Sequence, residues 1–507
     1  MDTTTKITIS IIFLILSLGI FSYIMNESLF VDEKMYVTAG VLVQDHALYT
    51  EFSYLQMPYL PLMYGAVFQF TGTEKYTLTA RLLNVVFTVV SSIFLFLIAY
   101  RLSDNVFIGL SALILFVFNE IIIYTMGFAW NAVMPITFSL VGIYLFMISI
   151  RGNSVSMIGV AACGLFLALA AGTKLYYGVV IIPFIIVALF WPRSCSIRHR
   201  LKILVLPLIA GFIVGSLPVL YYMVRDFDIF WFNNVGFHFI DKHELTGVDG
   251  MSIFQKFRVG LYMLGKETLL ILFIGLLFVI VQIIDSLKNI KGRVLNYISK
   301  EVVLLLILLT LTIPATFIGT PVIKHYFALP VPFVIILIPA LYGVLPEERR
   351  KAAQVLLLCL IIVAGLYGGP QLYGNIDRLA AVNKWEPNRV HTEAQELRES
   401  IGKLQDDDKV ATLYPLYAVE AGLPVYKEFS SGTFLYHVGD LLGEEKRRRY
   451  VTTSPNTLAD FFEQNPPKVL LLANLQSFDA PFYEFVENHD YYEMEKHFFG
   501  HTIFIKK

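Results

Sequence analysis

Eleven apolar runs, each about as long as a bilayer is thick, limit this chain more than any other feature. They fall at 7–25, 78–100, 107–126, 132–150, 157–173, 175–191, 203–223, 268–285, 302–318, 327–344 and 352–368, and each holds 17 to 23 residues. About 20 residues of helix are needed to cross a hydrocarbon layer. A soluble core has no use for so many uninterrupted runs, and 56% hydrophobic residues with a mean hydropathy of +0.65 agree with a polytopic α-helical membrane protein. The net charge of -1 provides no field for a polyanion, so nucleic acid is not an expected partner. Cys163, Cys195 and Cys359 lie in or near the runs and read as small apolar residues, with neither a disulfide framework nor a zinc spacing.

Lysine and arginine set the orientation. Counting from the amino terminus, every second connection carries Arg101, then Arg151, then the cluster at 193–202, then 288–300, then 349–351. Cytoplasmic connections collect basic residues, so the pattern puts the amino terminus inside the inner (plasma) membrane and the carboxyl terminus outside. The first run has no Ala-x-Ala site behind it and reads as an uncleaved anchor. Residues 1–369 form the membrane domain, with long outer loops at 26–77 and 224–266. From 370 to 507 the composition changes. A polar helix is predicted over 383–404, with strands over 409–414, 424–429, 468–473 and 498–507, which makes a C-terminal soluble α/β domain on the outer side.

The first outer loop is the least like a plain connection. It holds the acidic pair Asp32-Glu33, then Leu48-Tyr49-Thr50-Glu51-Phe52, then Gln56-Met57-Pro58-Tyr59-Leu60-Pro61. With the orientation above, Asp32, Glu33, Glu51, Gln56, Arg81, Asn131, Lys174, His238, Lys324 and His325 all fall at the outer level. Acids and cations at one membrane boundary suit transfer between a charged lipid head group and a polar acceptor. A carboxylate there can take a proton from an attacking hydroxyl, and a cation can meet charge growing on a phosphate leaving group. Tyr36, four residues after Asp32, shares its helix face. Plainer roles stand beside these. Acids favour a helix start, Arg81 and Lys174 could snorkel, and His238 and His243 could be structural.

The acidic pair past the first run, the Leu-Tyr-Thr-Glu-Phe segment and the proline-marked helix start together resemble the GT-C superfamily, within it glycosyltransferase family 39. That group includes protein O-mannosyltransferases and the aminoarabinose transferase of lipid A. Ala80-Arg81-Leu82-Leu83, Gly172-Thr173-Lys174 and Lys324-His325-Tyr326 add to the likeness, which covers about residues 1–345. It implies a transferase using a polyprenyl-phosphate-linked sugar, with Asp32 as catalytic carboxylate and Glu33 as its supporting neighbour. Tyr36, Glu51, Gln56, Arg81, Lys174, Lys324, His325 and Tyr326 would lie on the donor side. Gln56-Met57-Pro58 departs from the lipid A enzymes, which carry an acid and a lysine before the proline. That loses a charged phosphate contact and leaves Glu51 as a nearby acid.

The expected function is therefore sugar transfer from a polyprenyl-phosphate donor to an acceptor hydroxyl at the outer face. The acceptor could be lipid, polysaccharide or protein. A flippase of lipid-linked sugars would want ionisable residues at mid-membrane and broken helices in paired repeats, and neither is visible; a polysaccharide polymerase would want arginines in its outer loops, which hold few. Two adjacent carboxylates could hold a divalent cation, which some members of the superfamily use, and the spacing alone does not decide it.

Overall fold

The computed structural model describes residues 2–150, 155–192, 195–240, 252–265, 268, 271, 299–318, 322–405, 407–473 and 478–507. Most of the predicted span at 268–285, most of the basic segment at 288–300 and His243 lie outside them.

Helix α1 (Thr3–Asn26) shows why the amino-terminal run folds as it does. Leu16, Ile20 and Ile24, four residues apart, bury one stripe, while Ile7, Ile11, Leu14, Ile15 and Leu18 stay exposed. A helix that is apolar on both its packed and its open side needs lipid as solvent. The Glu347–Tyr373 helix behaves alike, with Val355, Leu358, Ile362 and Leu366 exposed. Among the described residues four helices are long and apolar enough to cross a bilayer, or six if each of two bent pairs is one span.

Both bends correct a span expected to be straight, and both have a local cause. The run at 107–126 divides into α5 (Val106–Val117) and α6 (Glu120–Met126), bent by 61°, because Asn119 accepts from the Ile121 and Ile122 amides and starts a new helix. The run at 203–223 bends by 56° at Ser216, where Pro218 removes a backbone donor.

The first loop is largely helical. It contains α2 (Val31–Leu42) and α3 (Tyr59–Thr71), followed by α4 (Tyr76–Ser103). Between α2 and α3, Leu48 bridges Phe52 around Tyr49, whose φ of 70° is held by its hydroxyl donating to the Gln56 carbonyl at 2.6 Å. Helices α7 (Val133–Ser149) and α8 (Met157–Thr173) pack behind, and α8 meets the Leu206–Gly215 helix through Gly164 and Gly211. A Cβ at either glycine would run into the facing backbone, so the small residues permit the close crossing.

The carboxyl-terminal region has its own apolar cluster around a four-stranded sheet. The strands are β1 (Val410–Ala411), β2 (Val469–Ala473), β3 (Tyr491–Glu493) and β4 (His501–Lys506), in the order β1-β2-β4-β3. β1 and β2 are parallel and the other pairings antiparallel. The predicted strand at 424–429 is corrected. Only Val425 bridges Val410, and Lys427–Phe429 turns as a 3-10 helix. The predicted polar helix appears as Glu386–Ile401. This region is fastened to the loops above the bundle. Ser430 and Ser431 donate to the Ser53 carbonyl, Glu420 accepts from the Thr77 amide and hydroxyl, and Arg449 pairs with Asp226 and Asp228.

Candidate active site

Glu33 and Arg81 find each other. The guanidinium donates from Nε and Nη2 to the two carboxylate oxygens, both at 2.8 Å, and both side chains are fully buried. Its Nη1 donates to the Ile24 and Glu27 carbonyls at the end of α1. Glu33 also accepts from the Ala129 amide at 3.0 Å and sits in the first turn of α2. A cation at one helix end and an acid at another helix start are each favoured by the backbone dipoles. The pair therefore joins α1, α2, α4 and the segment after α6. Its oxygens are taken, so Glu33 does not fit the part of a divalent-cation ligand beside Asp32. Among the described residues no group of three or more His, Cys, Asp or Glu side chains could hold a metal ion.

Asp32, one position earlier, points elsewhere. It is half-buried in the first turn of α2, and its charge acts on Tyr36, Tyr124, Lys174 and Tyr326. Lys174 follows the last residue of α8 and is 4% exposed, yet its Nζ has no hydrogen-bond partner among the described residues. The ammonium faces the rings of Tyr176 at 5.3 Å and Tyr326 at 5.5 Å. Burial pulls its pKa down to about 7 against the opposing pull of Asp32. Gly172 makes this placement possible, because the Tyr59 ring lies against it where a side chain would collide. His325 completes the group. Its ring is 4.5 Å from Trp130 and 4.6 Å from Tyr326, and its buried Nδ1 has no partner among the described residues. Tyr54, 5.9 Å from Tyr36 between ring centres, carries a buried hydroxyl that is also unpartnered.

The arrangement is a carboxylate within electrostatic reach of a buried cation, with tyrosine rings around both. A structure with the same chain path is ArnT from Cupriavidus metallidurans bound to undecaprenyl phosphate. It is 12% identical, with a TM-score of 0.61 over 99% of this chain and 98% of that one. Its apo form matches at a TM-score of 0.59. The oligosaccharyltransferase of Archaeoglobus fulgidus in the apo form, 9% identical, matches at 0.51 over 95% of this chain and 72% of that one. No family model and no curated protein matches the sequence. The chain shares the fold of these transferases.

Within this fold the remaining candidates separate. Lys324 is paired with Glu120 and stands 5.5 Å from the Tyr124 ring, at the rim of the cluster. Gln56 accepts from Asn131 at 3.1 Å. Glu51 turns away toward Lys427, at 3.6 Å, in the carboxyl-terminal region. His238 is exposed, with its ring against Phe237. Tyr54, Trp130 and Tyr176 were not singled out from sequence. Among 28 tyrosines and 4 tryptophans in a membrane protein, nothing local marks the ones that line a site. The closeness of Tyr176 to Lys174 in sequence was the one available signal.

Proposed function

We propose that the protein is a glycosyltransferase that moves a sugar from a polyprenyl-phosphate donor to an acceptor hydroxyl at the outer membrane face. Asp32 takes the proton of the acceptor hydroxyl as its oxygen attacks the anomeric carbon. The bond from that carbon to the phosphate oxygen breaks with inversion, and polyprenyl phosphate leaves with the electron pair. Lys174 meets the charge on that oxygen, Lys324 lies at the rim of the same path, and the tyrosines hold the sugar ring. Bringing two membrane-held reactants to one interface adds a proximity contribution.

The observation that carries this reading is Lys174, a buried ammonium with no hydrogen-bond partner among the described residues and in electrostatic reach of a carboxylate. An ammonium is costly to bury unless an anion meets it, and a phosphate does so. The shared fold with a protein solved with undecaprenyl phosphate supports the same donor class.

The test uses membranes containing the protein or its Asp32→Asn variant, supplied with a panel of polyprenyl-phosphate sugars. Release of polyprenyl phosphate with the wild type, lost in the variant at normal protein level, is the expected result. A donor moved across the membrane intact, with no release, would make the protein a flippase instead.

A further inference from the structure

The sheet of the carboxyl-terminal region ends beside α2. Ligands of sheets with parallel strands settle outside the carboxyl ends, where the chain turns away and leaves a crevice. β1 and β2 are such a pair, and Ala473 at the end of β2 lies opposite His501 at the head of β4. Tyr414, three residues past β1, has its ring 5.0 Å from that of His501, and the Tyr417 ring is 5.3 Å from it. Asp479, past β2, acts electrostatically on Tyr414 and Tyr436. From the other side α2 contributes Lys34, whose Nζ is 4.6 Å from the Tyr414 ring centre and 4.7 Å from that of Tyr417.

Three side chains here carry buried polar atoms without hydrogen-bond partners among the described residues. They are Asp479 with both oxygens, His501 with Nε2 and Tyr436 with its hydroxyl, and they are 1%, 6% and 0% exposed. An unsatisfied buried polar group costs about 1–3 kcal/mol, so packing alone gives no reason to gather three of them. The chemistry they offer is defined. His501 Nδ1 lies 2.7 Å from the Phe499 carbonyl, which only accepts, so Nδ1 carries the hydrogen. Burial, with Lys34 nearby, lowers its pKa to about 4, so the ring is neutral and Nε2 is a bare acceptor. Burial pushes Asp479 up to about 7; the Ala473 amide lies near enough to pull the other way, without the geometry of a formed hydrogen bond. A ligand that donates several hydroxyls and lays C–H groups on aromatic rings fits this set. That is a saccharide.

We propose that this end of the sheet binds one sugar unit of the acceptor. Its hydroxyls donate to Asp479 and to His501 Nε2, and its ring lies along Tyr414, the Tyr417 ring being stacked on Phe499 at 3.9 Å. Calling the sugar an acceptor rests on the transferase reading above, whereas its binding here does not. Lys34 and Asp32 are two positions apart on α2 and so project to nearly opposite sides of a helix roughly 10 Å across. A glycan crossing the first turn of α2 would reach from this site to Asp32.

The experiment uses the full-length protein purified in detergent and methyl glycosides of glucose, galactose, mannose and arabinose as probes, read by saturation-transfer NMR. At least one glycoside is expected to bind, with affinity reduced tenfold or more by Asp479→Ala and by His501→Phe, and unchanged by Asp32→Asn. Asp479→Asn, nearly isosteric, is expected to bind more weakly and to melt at a higher temperature without sugar, because it removes an unpartnered carboxylate. Absence of binding by all four probes would overturn the proposal. So would binding that survives both substitutions, or binding that disappears with Asp32→Asn and therefore belongs beside Asp32. A lower melting temperature for unliganded Asp479→Asn would assign the carboxylate to structure and also end the proposal. Loss of transfer in Asp32→Asn with sugar binding retained keeps the two readings separate.

Discussion

Two carboxylate–cation regions lie side by side at the start of α2, and they are built on opposite terms. Glu33 and Arg81 are fully buried, with four hydrogen bonds from the guanidinium and an amide on the carboxylate. Asp32 acts electrostatically on Lys174, and the lysine makes no hydrogen bond among the described residues. The first region is complete without a ligand and holds three helices together. The second leaves a buried ammonium without a hydrogen bond among the described residues. Buried charges are tolerated when all their bonds are made, so the unmade ones mark where binding energy is available.

The largest expected effect separates the two regions by chemistry. Asp32→Asn should lower sugar transfer by about 10²–10⁴, the usual range for a general base, with the protein accumulating normally. Transfer unchanged in the variant would move the chemistry away from Asp32. Arg81→Met should do the reverse and act on folding. Leaving Glu33 buried without its partner costs about 3–5 kcal/mol, so the protein should accumulate poorly, and adding Glu33→Leu should restore much of it. A stable but inactive Arg81→Met protein would erase the distinction drawn here.

Lys174 sharpens the comparison through pH. Its ammonium is charged below about 7 and loses its proton above, so the donor KM should rise as pH climbs through that value. Lys174→Arg should flatten the profile because guanidinium stays charged. Lys174→Met should raise the donor KM at pH 6 by about 10-fold or more, as expected for losing a bond to a charged group. The smallest effect belongs to Glu120→Gln. Its pair with Lys324 is partly exposed, and such pairs contribute about 0–1 kcal/mol, so melting temperature should barely move.

Much of the site was legible. Asp32, Tyr36, Lys174, His325 and Tyr326 come together as one cluster, drawn from three separate stretches that the orientation rule had put at one level. Arg81 was read as a phosphate contact because its charge and level were visible. Its partner was not, since a guanidinium 48 residues from a glutamate leaves no local trace. Asn119 illustrates a different gap. Within an apolar run one asparagine is easily absorbed, and only the cap it makes on Ile121 and Ile122 shows that the helix restarts there. β3 was missed because three residues are too few to display alternation.

Sequence by itself determined the solvent of this chain. Whether a helix can lie in lipid is a sum over its side chains, and a sum needs no knowledge of neighbours. It also determined that acids and cations are available near the start of α2, because run boundaries and basic connections are local facts. Only the tertiary structure decided which acid takes which cation. Pairing depends on distances of a few ångströms between residues far apart in the chain, and on which groups lose water together. Asp32 and Glu33 are adjacent in sequence and belong to different parts of the molecule for that reason.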